Sequence, residues 1–277
     1  MEPIWLLILF IACALLSLFF CWIAKLLFPK FRSGEFKPGP HRSDMPVLPA
    51  SGREIKTIEL PLVGGPALTL AIIGAGIAAG FIFKFSEAQW RLLAIGLGAT
   101  FGYMLVGLVD DWNKVHSNEG LSERGKLAGV FLVSIAAAAC YYFLFPKANQ
   151  AYSPYTDILG VIFNDVPFSW LIVLMGITGI IGSVTSLSVD FSDGLDGLAG
   201  GLVFSAALAF GIIVSFITNS GSAHPERIVL EVLSLLTAAG VLGFLRWNWP
   251  SAWAARRGSA KRRAKIYMGD SGALALG

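Results

Sequence analysis

Long apolar runs broken by short polar segments dominate this chain. Residues 3–28 form the first run, and six more follow at roughly 62–83, 89–109, 127–145, 168–189, 197–218 and 226–246. Each is close to the ~20 residues that carry a helix across a hydrocarbon core. A helix satisfies its own backbone groups there, where water cannot. The pattern therefore predicts an all-α fold, a polytopic transmembrane helix bundle with seven complete spans and the start of an eighth after residue 270. It is read as one domain over residues 1–277.

The first run is longer than a signal-peptide core and opens with Glu2 rather than a basic residue, so it predicts a retained span. Residues 29–60 hold five prolines and read as an irregular cytoplasmic loop. Residues 247–270 read as a second, basic cytoplasmic loop. The apolar stretch 155–165 is short and reads as part of an outer loop lying on the surface. The short gap after residue 84 makes spans two and three a tight antiparallel hairpin, and Gly74, Gly76 and Gly80 suit close helix packing.

Composition narrows the class. Only 14% of the residues are charged, against ~25% in soluble domains, so a string of soluble domains is excluded. Cys13, Cys21 and Cys140 sit singly in apolar runs and read as small core or lipid-facing residues, and His41, His116 and His224 as surface residues. If the loops after spans one, three, five and seven share a face, that face holds 17 of the 21 lysines and arginines. The positive-inside rule makes it cytoplasmic and the N-terminus external. A net charge of +3 gives no reason to expect nucleic acid as a partner.

Candidate chemistry collects on that same face. The stretch from Asp190 to Gly197 packs Asp190, Asp193 and Asp196 between two uncharged runs, with Lys147 and Arg227 the nearest basic residues along the chain. Uncompensated carboxylates beside a membrane are expensive and mark function. On a helical path their spacing of three places them near one face. Span counting brings Asp110 and Asp111 at the end of span three, and Asp270 before the eighth run, to the same side. Aspartates suit Mg²⁺, which takes one or two carboxylates plus waters and phosphates. Lys114 and Lys126 add charge for phosphate oxygens. Of the adjacent acids Asp110 and Asp111, one is expected to act as a base. Gly194, Gly197, Gly269 and Gly272 allow close backbone approach to a ligand. The plainer alternatives are a solvated loop, helix-end charges and ordinary positive-inside lysines. An ion-coupled transporter is disfavoured, because its acids sit mid-span.

Four ordered motifs then carry a resemblance: Gly107 to Lys114, Gly120 to Leu127, Asp193 to Ala199 and Met268 to Gly277. Together they resemble the polyprenyl-phosphate N-acetylhexosamine-1-phosphate transferase family, most closely its phospho-N-acetylmuramoyl-pentapeptide branch. Residues 60–65 and 244–252 resemble two further family segments. The resemblance implies an Mg²⁺-dependent transfer of phospho-N-acetylmuramoyl-pentapeptide from a UDP-sugar donor to undecaprenyl phosphate, giving lipid I and UMP in peptidoglycan synthesis. Its setting would be the bacterial inner membrane, with the active site on the cytoplasmic face, and a homodimer is allowed. A related UDP-HexNAc transferase and an inactive relative are the alternatives within the family, and a non-catalytic scaffold outside it.

By motif match, the resemblance makes Asp110, Asp111 and Asp270 catalytic, with Asp190 and Asp270 as metal ligands. Lys114, Lys126, Asp193, Gly194, Asp196 and Asn248 would bind substrate. The paired acids would either deprotonate the acceptor or attack the donor. The sequence also departs from the family. Asp190 stands where an Asn is usual, and Leu60 and Leu62 replace two threonines. Glu119 replaces a common basic residue, and residues 253–267 form a basic insertion whose charge suits solvent or anionic lipid headgroups. The family continues past the position of Gly277 through further spans and a His-rich motif, so the sequence reads as C-terminally truncated.

Overall fold

A computed structural model describes residues 3–28, 61–117, 120–144, 168–219, 225–249 and 264–277. The described residues form eight helices and no strand longer than one bridging residue. They are α1 (Pro3–Leu27), α2 (Gly64–Ile82), α3 (Glu87–Ser117), α4 (Glu123–Leu144), α5 (Phe168–Ser192), α6 (Leu198–Asn219), α7 (Pro225–Asn248) and α8 (Gly269–Leu276). Six of them, α1 to α4, α6 and α7, are long and apolar enough to cross a membrane. The expected loops at 29–60 and 155–165, and most of the basic insertion, lie outside the described residues.

α7 is the hub, packing against α1, α2, α3 and α6. Its contact with α1 is backbone to backbone: a Cβ on Gly243 would stand 2.9 Å from the Leu18 nitrogen. Ser17 Oγ also donates to the Gly240 carbonyl at 2.6 Å. Such close approach at a small residue is how helices pair without a hydrophobic driving force between them. The buried core runs through Leu68, Ile72, Leu93, Val232, Leu236 and Phe244.

The α2–α3 hairpin forms as the sequence predicts. Ser86 and Gln89 make a reciprocal capping box at the start of α3, Ser86 N–H to Gln89 Oε1 at 2.8 Å and Gln89 N–H to Ser86 Oγ at 3.4 Å. Gly80 leaves room for the Trp90 ring, which a Cβ would meet at 2.5 Å.

Two boundaries differ from the hydropathy pattern. α3 runs on from residue 109 to Ser117, so Asp110 and Asp111 lie within it. The ion pair of Lys114 with Asp110, one turn apart, supports that extension. α5 likewise continues to Ser192 and carries Asp190, but the helix then stops. Asp193 and Asp196 lie in turns, and Gly197 takes φ +79°. The three acids of this stretch therefore do not share one helix face. The glycines at 194 and 197 break the helical path that their spacing suggests.

Candidate active site

α8 is two turns long, and it lies where α2, α3 and α5 meet. Its seat is made by absent side chains. A Cβ on Gly107 of α3 would overlap the backbone of Asp270 and Ser271, and one on Gly65 of α2 would overlap Gly272. Gly269 adopts φ +70°, a conformation that favours glycine, and a Cβ there would stand 2.7 Å from Asp111 Oδ2. The incoming segment is pinned by Tyr267 N–H to the Pro61 carbonyl at 3.0 Å and by Gly64 N–H to the Tyr267 carbonyl at 3.0 Å.

The adjacent acids of α3 do different things. Asp111 is fully buried, and its two oxygens accept the backbone N–H groups of Asp270 (3.0 Å) and Ser271 (2.9 Å). It thereby caps α8, which has no other side-chain cap at its start. Asp110 is 1% exposed. Its Oδ1 accepts the Leu121 N–H at 2.6 Å, so the loop before α4 closes over it at Gly120. Its Oδ2 forms an ion pair with Lys114 Nζ at 2.6 Å, and Lys126 Nζ lies 3.6 Å away.

Lys114 also donates to Asp270 Oδ1 at 2.6 Å. Lys126, in the first turn of α4, donates to Asp190 Oδ2 at 3.1 Å, pairs with Asp270 and lies 3.6 Å from Asp110. Asp190, the acid in place of an amide, therefore has a cation after all, contributed by another helix.

Asp110, Asp111 and Asp270 each offer an oxygen, and the three oxygens lie within 4.8 Å of one another. Among the described residues this is the one acidic group so arranged. Counting Asp190, four carboxylates face two ammonium groups, an excess of two negative charges. A divalent cation matches that excess, and three carboxylate oxygens within 4.8 Å suit its ligand set. The residues fit such an ion. Asp190 faces Lys126 and stands outside the converging trio, whereas the sequence pairs it with Asp270 as a ligand.

Of the remaining expected site residues, Asp193 and Gly194 form the rim. Asp193 is half-buried, and burial together with the charges of Asp190, Asp270, Asp111 and Asp196 pushes its carboxyl up to about 8. Gly194 is exposed with open space around it. Asp196 and Asn248 act on the backbone. Asp196 Oδ2 accepts the Ala264 N–H at 2.9 Å. Buried Asn248 accepts the Gly197 N–H at 2.8 Å and donates to the Ile266 carbonyl at 3.1 Å. These bonds tie the acidic turn to the segment leading into α8. Gly65, Gly107 and Ser271, whose buried Oγ has no partner, belong to the site's frame. Only their place inside motifs signalled them in the sequence.

Known proteins resemble the chain over the segment that carries these residues. The profile described as glycosyl transferase family 4 matches residues 93–277, which contain every one of these acids and lysines. The chain is 31% identical over 219 residues to a protein of Bacillus licheniformis named phospho-N-acetylmuramoyl-pentapeptide-transferase. It is 33% identical over 221 residues to proteins of that name from Bacillus thuringiensis and Bacillus cereus. Each alignment covers 78% of this chain and 58% of the relative, so the chain spans well under two thirds of their length. With the profile covering two thirds of the chain and ending on the helix that Asp111 caps, the chain belongs to glycosyl transferase family 4.

Proposed function

We propose that the chain transfers phospho-N-acetylmuramoyl-pentapeptide from its UDP donor to undecaprenyl phosphate, giving lipid I and UMP, on the cytoplasmic face of a bacterial membrane. The observation that carries this reading is the convergence of Asp110, Asp111 and Asp270 around the ammonium groups of Lys114 and Lys126. The names of the relatives support the transferred group, phospho-N-acetylmuramoyl-pentapeptide.

Asp270 would hold Mg²⁺, with waters and donor phosphates completing its ligands, and the ion would neutralise the pyrophosphate charge. Lys114 and Lys126 would exchange carboxylate partners for phosphate oxygens of the donor. Asp110, whose Oδ2 faces the two lysines that would take the phosphates, is the base or nucleophile, and Asp111 positions α8. Asp193 and Gly194 at the rim would meet the nucleotide. An apolar trough of ≈ 410 Å³ between α4 and α5, lined by Leu127, Phe131, Ile180 and Val184, would seat the polyprenyl chain. Arg124 at its head and Lys126 two residues on would draw the lipid phosphate. We read α5 as the fifth of seven crossings and the lysine-rich face as cytoplasmic, by the positive-inside rule.

The test is exchange of labelled UMP into UDP-N-acetylmuramoyl-pentapeptide by the detergent-purified chain with undecaprenyl phosphate. Mg²⁺-dependent exchange that Asp270→Asn abolishes is the expected result. Exchange that survives that variant, or none at all from a folded chain, sinks the reading.

A further inference from the structure

We propose that Lys25, Arg246 and Lys265, gathered round the indole of Trp247, form a headgroup site for one anionic phospholipid. Their charged groups lie 5.4 Å (Lys25 Nζ), 5.9 Å (Arg246 Cζ) and 5.7 Å (Lys265 Nζ) from the centre of the same ring. They come from three segments: the last turn of α1, the last turn of α7, and the residues that lead into α8. The ring is held in place. Trp247 Nε1 donates to the Leu18 carbonyl of α1 at 3.2 Å, and the Trp247 carbonyl accepts the Lys265 N–H at 2.8 Å.

A ring face attracts each cation but does not cancel the repulsion among three of them. Among the described residues, no carboxylate pairs with any of the three. Asp196, which reaches the residue before Lys265, spends its Oδ2 on the Ala264 N–H. The carbonyl ends of α1 and α7 favour Lys25 and Arg246 singly. They do not explain Lys265, which lies on no helix, or the gathering of all three on one indole.

The surroundings select a lipid over a free anion. Trp22 and Trp249 are exposed near the same helix ends, and exposed tryptophans mark headgroup depth. Leu26 and Leu27 beside Lys25 are more than half exposed and give an acyl chain a wall to lie along. The ligand is therefore a phosphate oxyanion carried on an apolar tail. This site is separate from the aspartate cluster and does not depend on the transferase reading.

Native mass spectrometry of the detergent-purified chain tests it, with dioctanoyl phosphatidylglycerol, dioctanoyl phosphatidylcholine and inorganic phosphate as probes. One phosphatidylglycerol should be retained at least tenfold more tightly than phosphatidylcholine. Lys25→Gln, Arg246→Gln and Lys265→Gln should each weaken it roughly fivefold, and the triple variant about a hundredfold, from the usual attraction of one basic residue to an anionic headgroup. Unchanged retention in the variants, or equal retention of the two lipids, overturns the proposal. So does displacement of phosphatidylglycerol by equimolar inorganic phosphate, which would mean a free-anion site. Should the triple variant fail to fold by circular dichroism, Lys25→Gln and Lys265→Gln alone decide the matter. Asp270→Asn should keep the lipid, so loss of exchange and loss of lipid are read separately.

Discussion

Asp111 on α3 accepts the backbone N–H of Asp270 at 3.0 Å, across 159 residues of chain. That bond separates two neighbouring acids that look equivalent in sequence. Asp111 has both oxygens committed to the start of α8, whereas Asp110 holds the Leu121 N–H and faces the Lys114 ammonium.

Asp111→Asn should therefore damage stability first. An amide can accept only through its oxygen, and its NH₂ would face a second N–H. The expected loss is about 1–3 kcal/mol, the usual range for an orphaned buried group, read as a lower thermal midpoint in detergent. Asp110→Asn keeps an oxygen for the Leu121 N–H but loses the charge facing Lys114, and should remove UMP exchange by about 10²-fold or more.

Mg²⁺ should stabilise the folded chain. Binding to the native state alone adds about 2.7 kcal/mol at a hundred times Kd, so the thermal midpoint should rise with Mg²⁺ and fall back with a chelator. Asp270→Asn should lose this response. An equal rise in that variant would show that the ion binds elsewhere.

Asp193 sets a pH dependence. Its carboxyl titrates near 8 in the folded chain and near 4 when unfolded. Between those values the folded state holds the extra proton, so stability falls as pH rises through this window. Without divalent cations, the midpoint should be lower at pH 9 than at pH 6. Asp193→Asn should flatten that slope. A slope that survives the substitution assigns the proton to another group.

Asn248→Ala should orphan the Gly197 N–H and the Ile266 carbonyl, at about 1–3 kcal/mol each. Gly107→Ala should cost about as much or more by pushing α8 off α3. Both should lower exchange and the thermal midpoint together. A variant that loses exchange with an unchanged midpoint would give Asn248 a direct part in binding substrate.

Hydropathy alone located the helices to within a few residues, because lipid imposes one length and one backbone solution on any crossing segment. It ended α3 at residue 109 and split the acids from that helix, since a length rule does not register an ion pair one turn apart such as Lys114 with Asp110. Span counting brought Asp110, Asp111 and Asp270 to one face, and the structure holds their oxygens within 4.8 Å. What neutralises Asp190 was not legible. Its partner Lys126 lies 64 residues away and is a neighbour only because α4 packs on α5. The division of labour between Asp110 and Asp111, and the meeting of three cations on Trp247, were likewise decided by tertiary structure. Residue type and spacing determine which groups are charged and at what depth they sit. Which charge meets which partner depends on the direction of each side chain, and helix packing alone sets that direction.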